Sequence, residues 1–298
     1  MVNEELRRSI KELSNPRADI RWYATYPLID AAKKGADVSG FIPQLVDAFE
    51  YCIADAKWYD ENSNNTLAVR NMAYFFEKVC ENGADISKAI PHFFTILREE
   101  KEEYNFKEGW KKLNFIIEET LTKALKNEKS RGVTLQALFD NLEDEHPIVR
   151  FHSAQTLANA AEIGLDISPA IDVLASHMEK GHANARVSAE ALANAAKAGT
   201  DIGTVFPALV RSIDHKLFDI RVHAAIALGT DLPRVKRRFR EAVKEIKDPK
   251  IRLEMKIRFA ALYKRIFSLS RKEVQFDARI SPIPKRRLGR FRTRRVRV

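Results

Sequence analysis

Eight of the last fourteen residues are cationic: Lys285, Arg286, Arg287, Arg290, Arg292, Arg294, Arg295 and Arg297, with no acid among them. Seven of the eight are Arg, whose planar fork binds phosphate oxygens in pairs and stacks on bases, whereas Lys offers only a point charge. Phe291 and Leu288 add a ring and an apolar wedge to the same stretch. So many like charges repel one another and predict an extended arm that needs a polyanion to hold it. A second cationic group, Lys236, Arg237, Arg238 and Arg240, precedes it. These twelve side chains are the candidate nucleic-acid-binding residues.

No comparable case exists for catalysis or metal binding. His146/His152 and His177/His182 lack the i, i+4 spacing that puts two ligands on one helix face, and no Cys pair accompanies them. Phosphate-cradling Gly-rich loops and Gly-x-Ser-x-Gly elbows are absent from the sequence. The chain is therefore expected to have no catalytic residue, no metal, no cofactor and no small-molecule substrate. Cys52 and Cys80 fall in helically patterned segments, which predicts buried thiols in a reducing compartment.

The elements that must carry the arm are legible in a recurring pattern. An Arg opens an Ala- and Leu-rich stretch, and Gly-x-Asp followed by Ile or Val closes it. The pattern runs from Arg21 to Gly35-Ala36-Asp37-Val38, Arg70 to Gly83-Ala84-Asp85-Ile86, Arg150 to Gly164-Leu165-Asp166-Ile167, and Arg186 to Gly199-Thr200-Asp201-Ile202. A fixed period of this order signals stacked helical repeats. In the clearest unit Pro147 suits a first helical turn, and Val149, Ala154, Leu157, Ala158 and Ala161 form a stripe that Gly164 ends. The next helix is expected to start at Ser168 as N-cap with Pro169 as its first residue.

Asp144-Glu145-His146-Pro147-Ile148-Val149-Arg150 and the Ala-Gln-Thr-Leu-Ala-Asn-Ala-Ala that follows resemble the HEAT repeat family. Segments 15–21, 219–221 and 248–252 are similar, so the resemblance covers about 15 to 265. It implies an all-α, right-handed α-solenoid of helix pairs in which the loop Asp and the Arg are structural, linking adjacent units. The deoxyhypusine hydroxylases, HEAT-like enzymes that hold iron with His-Glu dipeptides, find no such dipeptide here. HEAT-like DNA glycosylases use Trp, Asp and Arg on the concave face. Trp22, Trp58 and Trp110 match them by residue type alone.

The expected organisation is a repeat array over 1–232, basic capping helices over 233–267 and the extended arm over 268–298, with helix nearly throughout 4–267. A degenerate unit is placed at 106–142, and polar insertions at 55–66 and 99–109. Residues 1–232 hold 27 Lys or Arg against 35 Asp or Glu, a charge of −8, and residues 233–298 hold 24 against 6, a charge of +18. That asymmetry points to an acidic partner. The N-terminus has neither the apolar core nor the cleavage context of a signal peptide, which predicts a cytoplasmic protein, or a nuclear one in a eukaryote.

The functional expectation is a non-enzymatic adaptor that grips nucleic acid with the arm, RNA before DNA, and a protein with the repeat surface. The arm resembles the tails of ribosomal and ribosome-associated proteins, so rRNA is the favoured polyanion. The alternatives are a protein scaffold whose tail is a localisation signal or a self-docking segment, and a HEAT-like glycosylase.

Overall fold

The structure is a computed structural model that describes residues 2–56, 63–99, 108–181 and 184–230, and a series of positions between 236 and 269. Among the described residues there is no strand, and no helix is long and apolar enough to cross a membrane.

One corner is built four times. Helices α2 (Ala18–Lys33), α4 (Asn64–Glu81), α8 (Pro147–Glu162) and α10 (Ala185–Ala198) run into Gly35, Gly83, Gly164 and Gly199, at φ of 72°, 85°, 82° and 92°. Only glycine holds that left-handed conformation without a Cβ penalty. The next N–H then returns to the carbonyl five residues back, Ala36 to Ala31 at 3.0 Å, Ala84 to Val79 at 3.0 Å, Leu165 to Ala160 at 2.9 Å and Thr200 to Ala195 at 2.9 Å. This satisfies a carbonyl that the helix end would leave bare.

The Asp of each corner restarts the chain. Asp37, Asp85, Asp166 and Asp201 accept from the N–H two residues on, at 2.9–3.0 Å. A short 3₁₀ turn follows and leads into α3 (Ile42–Ala54), α5 (Ile90–Arg98), α9 (Ile171–Lys180) and α11 (Phe206–Ser212). The apolar residue after each Asp, Val38, Ile86, Ile167 or Ile202, is buried. Ser168 is thus not the N-cap expected from sequence. Its N–H donates to Asp166, residues Ser168–Ala170 form the 3₁₀ turn, and α9 begins at Ile171. The Ser168 hydroxyl turns back and donates to the same carboxylate, at 2.5 Å, rather than forward to the helix.

A different corner joins one unit to the next. Asn15, Asp144 and His215 each accept from the N–H two residues on, at 2.9, 2.8 and 3.1 Å. Six residues after each stands an Arg that donates back to its carbonyl. Arg150 reaches the Asp144 and Glu145 carbonyls at 2.7 and 2.8 Å, and Arg221 reaches those of His215 and Lys216 at 2.7 and 2.9 Å. These two Arg therefore close their own loops rather than link units, as the family resemblance implied. Arg21 alone does both. Fully buried, it donates to the Asn15 carbonyl, to Asp55 at the end of α3 and to Asn65 in α4 of the following unit. Arg186 does neither and pairs on the surface with Glu190 at 3.6 Å.

Asn65 shows that the polar run at 55–66 is shorter than its composition suggests. Ser63 caps α4 by accepting from the Thr66 N–H, and α4 begins at Asn64, so Asn65 and Thr66 are helical and buried. The blurred unit also forms a helix pair, α6 (Glu108–Lys126) and α7 (Glu128–Asp140). It has no Gly-x-Asp corner. Asn127 takes over, accepting from the Lys129 N–H at 3.0 Å while its amide donates to the Ala84 carbonyl at 2.8 Å.

Lateral packing follows chain order. Helix α2 lies on α4, α4 on α6, α6 on α8, α8 on α10, and α10 on α12 (Phe218–Thr230). A second layer holds α1 (Val2–Glu12), α3, α5, α7, α9 and α11, in which α1 touches α3, α3 touches α5, α5 touches α7 and α9 touches α11, more sparsely than in the first layer. Ala in α8, α10 and α12 lets those backbones approach closely. In the N-terminal half Phe49, Phe75, Phe76, Phe93 and Phe94 fill the space instead, with Phe49 and Phe76 rings 5.3 Å apart. Residues 259–269 are helical, and Ile266 is buried beside Gly229, where an added Cβ would sit 3.6 Å from its Cγ2.

Candidate nucleic-acid interface

Three of the twelve sequence-derived cations fall among the described residues. Arg237 and Arg240 are helical and exposed. Lys236 is partly buried, with its Nζ 4.4 Å from the centre of the Tyr263 ring and 3.5 Å from the Tyr263 hydroxyl. Lys236 is therefore engaged with its neighbour, a cation–π contact that leaves less of its charge to a ligand. Arg238 and the arm residues Lys285, Arg286, Arg287, Arg290, Arg292, Arg294, Arg295 and Arg297 lie outside the described residues. Lys244, Lys264 and Arg265 extend the exposed basic group, and Arg265 pairs with Asp214 at 2.6 Å.

A second feature was not legible as a site from sequence. Helices α2, α4 and α6 present aromatic rings to solvent with cations beside them. Trp22 lies tilted by 37° against Tyr23 at 4.9 Å and meets Tyr26 edge-on at 5.8 Å, and Tyr23 is 62% exposed. Tyr74 carries two ammonium groups, Lys33 at 5.3 Å and Lys78 at 5.1 Å from its ring centre. Phe115 on α6 is 63% exposed. The available signal was the spacing of Trp22, Tyr23 and Tyr26, which puts rings on the polar side of a helix whose apolar stripe is already complete.

Beside this face an ion cluster joins α4 to α6. Lys123 lies between Glu77, which is buried, and Glu81, while Lys78 bonds the same two carboxylates at 3.0 and 2.9 Å. Burial works to lower the Lys123 pKa, but its hydrogen bonds to the two carboxylates win and hold it above the usual range. Lys123 is thus committed to the fold. The hollow of about 550 Å³ next to it is bordered by Lys126 and Lys129, both exposed.

Among the described residues, both thiols and two of the His side chains have partners or surroundings that belong to the fold. Burial pushes the Cys52 and Cys80 thiols up to about 11, so both stay protonated and unreactive at neutral pH. His177 bonds Asn184 at 2.8 Å, and His152 Nδ1 lies 3.3 Å from Glu118. Among the described residues no three His, Cys, Asp or Glu side chains are grouped as metal ligands. Trp22 packs against the core and its two Tyr neighbours, and the side chains of Trp58 and Trp110 lie outside the described residues.

No family model matches the chain, and no curated protein does. Among solved structures the chain is similar to an engineered protein solved by the Northeast Structural Genomics Consortium, at 16% identity over 76% of this chain and 95% of that one. The TM-score of that pair is 0.39, too low to bear on the fold.

Proposed function

We propose that this chain is a non-enzymatic, HEAT-like α-solenoid adaptor, right-handed and cytoplasmic, that holds nucleic acid through its basic C-terminal end and a protein through its repeat surface. The observation that carries the reading is the division of charge, −8 over residues 1–232 against +18 over residues 233–298. A fold does not need that division. The arm has no acids with which to pair within itself, and seven Arg in fourteen residues suit bidentate phosphate contacts. RNA is favoured over DNA because single strands leave bases open to stacking on Arg and Phe291. Support for the solenoid comes from the order of helix stacking and from the repeated corners.

The exposed rings of Tyr23 and Tyr26 support a protein partner for the N-terminal units, since aromatic residues are enriched where proteins meet. The test of the main reading is titration of single-stranded RNA and duplex DNA with the full chain and with a chain ending at Ile280. About six to eight phosphate contacts give a log–log salt slope of roughly −4 to −7, and truncation removes most of it. Equal binding by both chains places the site elsewhere, and binding by neither leaves the chain a protein scaffold.

A further inference from the structure

Gly83 does more than end α4. Of the eleven glycines in the chain it alone follows an asparagine, Asn82. In an Asn-Gly pair no Cβ shields the glycine nitrogen, which can attack the asparagine side-chain carbon. The N–Cγ bond forms as the Cγ–Nδ2 bond breaks, and the side-chain nitrogen leaves as ammonia, taking up the proton of the glycine N–H. Water then opens the cyclic imide at either of its carbonyls. The products are an aspartate, or an isoaspartate that carries an extra carbon in the backbone.

The fold withholds both reactants. Asn82 is exposed, so water and base reach it, yet its side-chain amide is engaged, donating to the Ala32 carbonyl of the preceding unit at 2.7 Å. The Gly83 N–H donates to the Cys80 carbonyl at 3.0 Å, which ties down the proton that the attack must release. The corner is also held from its other side, where Lys129 donates to the Gly83 carbonyl at 3.3 Å and Asn127 to the Ala84 carbonyl at 2.8 Å. Three successive units thus meet at one exposed dipeptide.

We propose that Asn82-Gly83 is a deamidation site that reacts only while this corner is open, and that the reaction then keeps the corner open. The Ala32 carbonyl accepts from the Gly35 N–H at 3.0 Å as well as from Asn82, so the two glycine corners share it. An aspartate at position 82 replaces the donor with a carboxylate, and an acceptor then faces an acceptor. It also places negative charge at the end of α4, where the helix dipole opposes it. A corner that has opened and reacted cannot regain the bond that closed it. The share of molecules altered at this position therefore records how often α4 has come away from α2.

The test holds the full chain at mildly alkaline pH with and without urea, and follows aspartate and isoaspartate at each asparagine by peptide mass spectrometry. In urea Asn82 should react ahead of every other asparagine. Without urea its reaction should be slower by roughly tenfold or more, because only molecules with the corner open contribute. Equal rates in the two conditions overturn the proposal, and so does another asparagine reacting first in urea. As a second measurement, Asn82→Asp makes one product directly and should speed hydrogen exchange at the Gly35 and Gly83 amides severalfold, while amides of α8 and α10 keep their rates. Unchanged exchange at both glycines overturns the claim that the reaction holds the corner open. Neither measurement uses nucleic acid or a protein partner, so either result leaves the polyanion reading to its own test.

Discussion

Helices α8, α10 and α12 and helices α2, α4 and α6 are stacked in the same order, but they present different outward faces. In the first group Ala lines the contacts between helices, and the outward side carries short polar or charged groups such as Gln155, Asn159, Glu190 and Asn194. In the second group bulky rings fill the core and further rings remain at the surface, with Tyr23, Tyr26 and Phe115 exposed and Tyr74 flanked by Lys33 and Lys78. A repeat needs only one apolar stripe per helix to stack. Rings beyond that stripe are therefore surplus to folding, and the C-terminal group carries fewer of them, Phe218 on α12 being 39% exposed beside Arg221.

The largest expected effect falls on the Ala-lined half. Leu157 and Leu192 are wholly buried, and Leu157→Asp or Leu192→Asp should destabilise the array by several kcal/mol, since each leaves a carboxylate unpaired among apolar groups. Thermal unfolding at an unchanged temperature would mean that the two helices are packed the other way round. In the aromatic half, Tyr23→Ser with Tyr26→Ser should shift stability by less than about 0.5 kcal/mol, as exposed substitutions do. A large loss of stability would assign the rings to folding and remove the contrast.

Between these extremes lie the loop-closing arginines. Arg150→Ala leaves two carbonyls without their donors and should cost roughly 1–3 kcal/mol, against under about 0.5 kcal/mol for Arg186→Ala, which pairs with Glu190 at the surface. Chemical denaturation of the two variants side by side measures the difference. Gly164→Ala forces a side chain into φ 82° and should cost about 1–2 kcal/mol although nothing would touch the added methyl.

The smallest effect is electrostatic. Burial raises the Glu190 pKa, and Glu162 and Glu118 add to it against the pull of Arg186. A carboxyl whose folded pKa lies above its unfolded value penalises folding once pH exceeds the unfolded value, and the penalty vanishes below it. Glu190→Gln should therefore raise the melting temperature slightly at pH 7 and leave it unchanged near pH 4. The sign is opposite at Asp37, whose pKa is lowered by the Ser39 N–H and hydroxyl, so its contribution is present at neutral pH and fades as pH falls through its folded pKa.

The corners were readable in the sequence because their bonds close within a few residues. Gly164, Leu165 and Asp166 make every bond of the turn with residues 160–168, so a short motif contains the whole mechanism. Lateral features were not readable for the converse reason. Lys123 reaches Glu77 across 46 residues and nothing local distinguishes it from a surface charge, while the recurring pattern marked Arg21 as structural without naming Asn65, 44 residues on, as its partner. Asn127 hid for a third reason: one amide does the restart of the missing Gly-x-Asp turn and adds a bond to a neighbouring unit, so the blurred unit looks less regular than it is. The exposed rings escaped notice because aromatic residues in an amphipathic helix read as core. The basic arm was the clearest chemical signal in the chain, and it lies outside the described residues.

The four Gly-x-Asp corners also bear on how such a chain can change length. Gly164 and Gly199 hold equivalent places in the same bonded turn, 35 residues apart. A segment copied from Gly164 through Ala198 and inserted before Gly199 would meet, at both of its ends, the junction it left. The new copy of α10 would meet α12 as α10 does now, while its other face, which fits α8, would meet α10. Duplication or loss of a unit then keeps the bonded turn intact at each junction, and any adjustment falls on the one new contact between copies of α10.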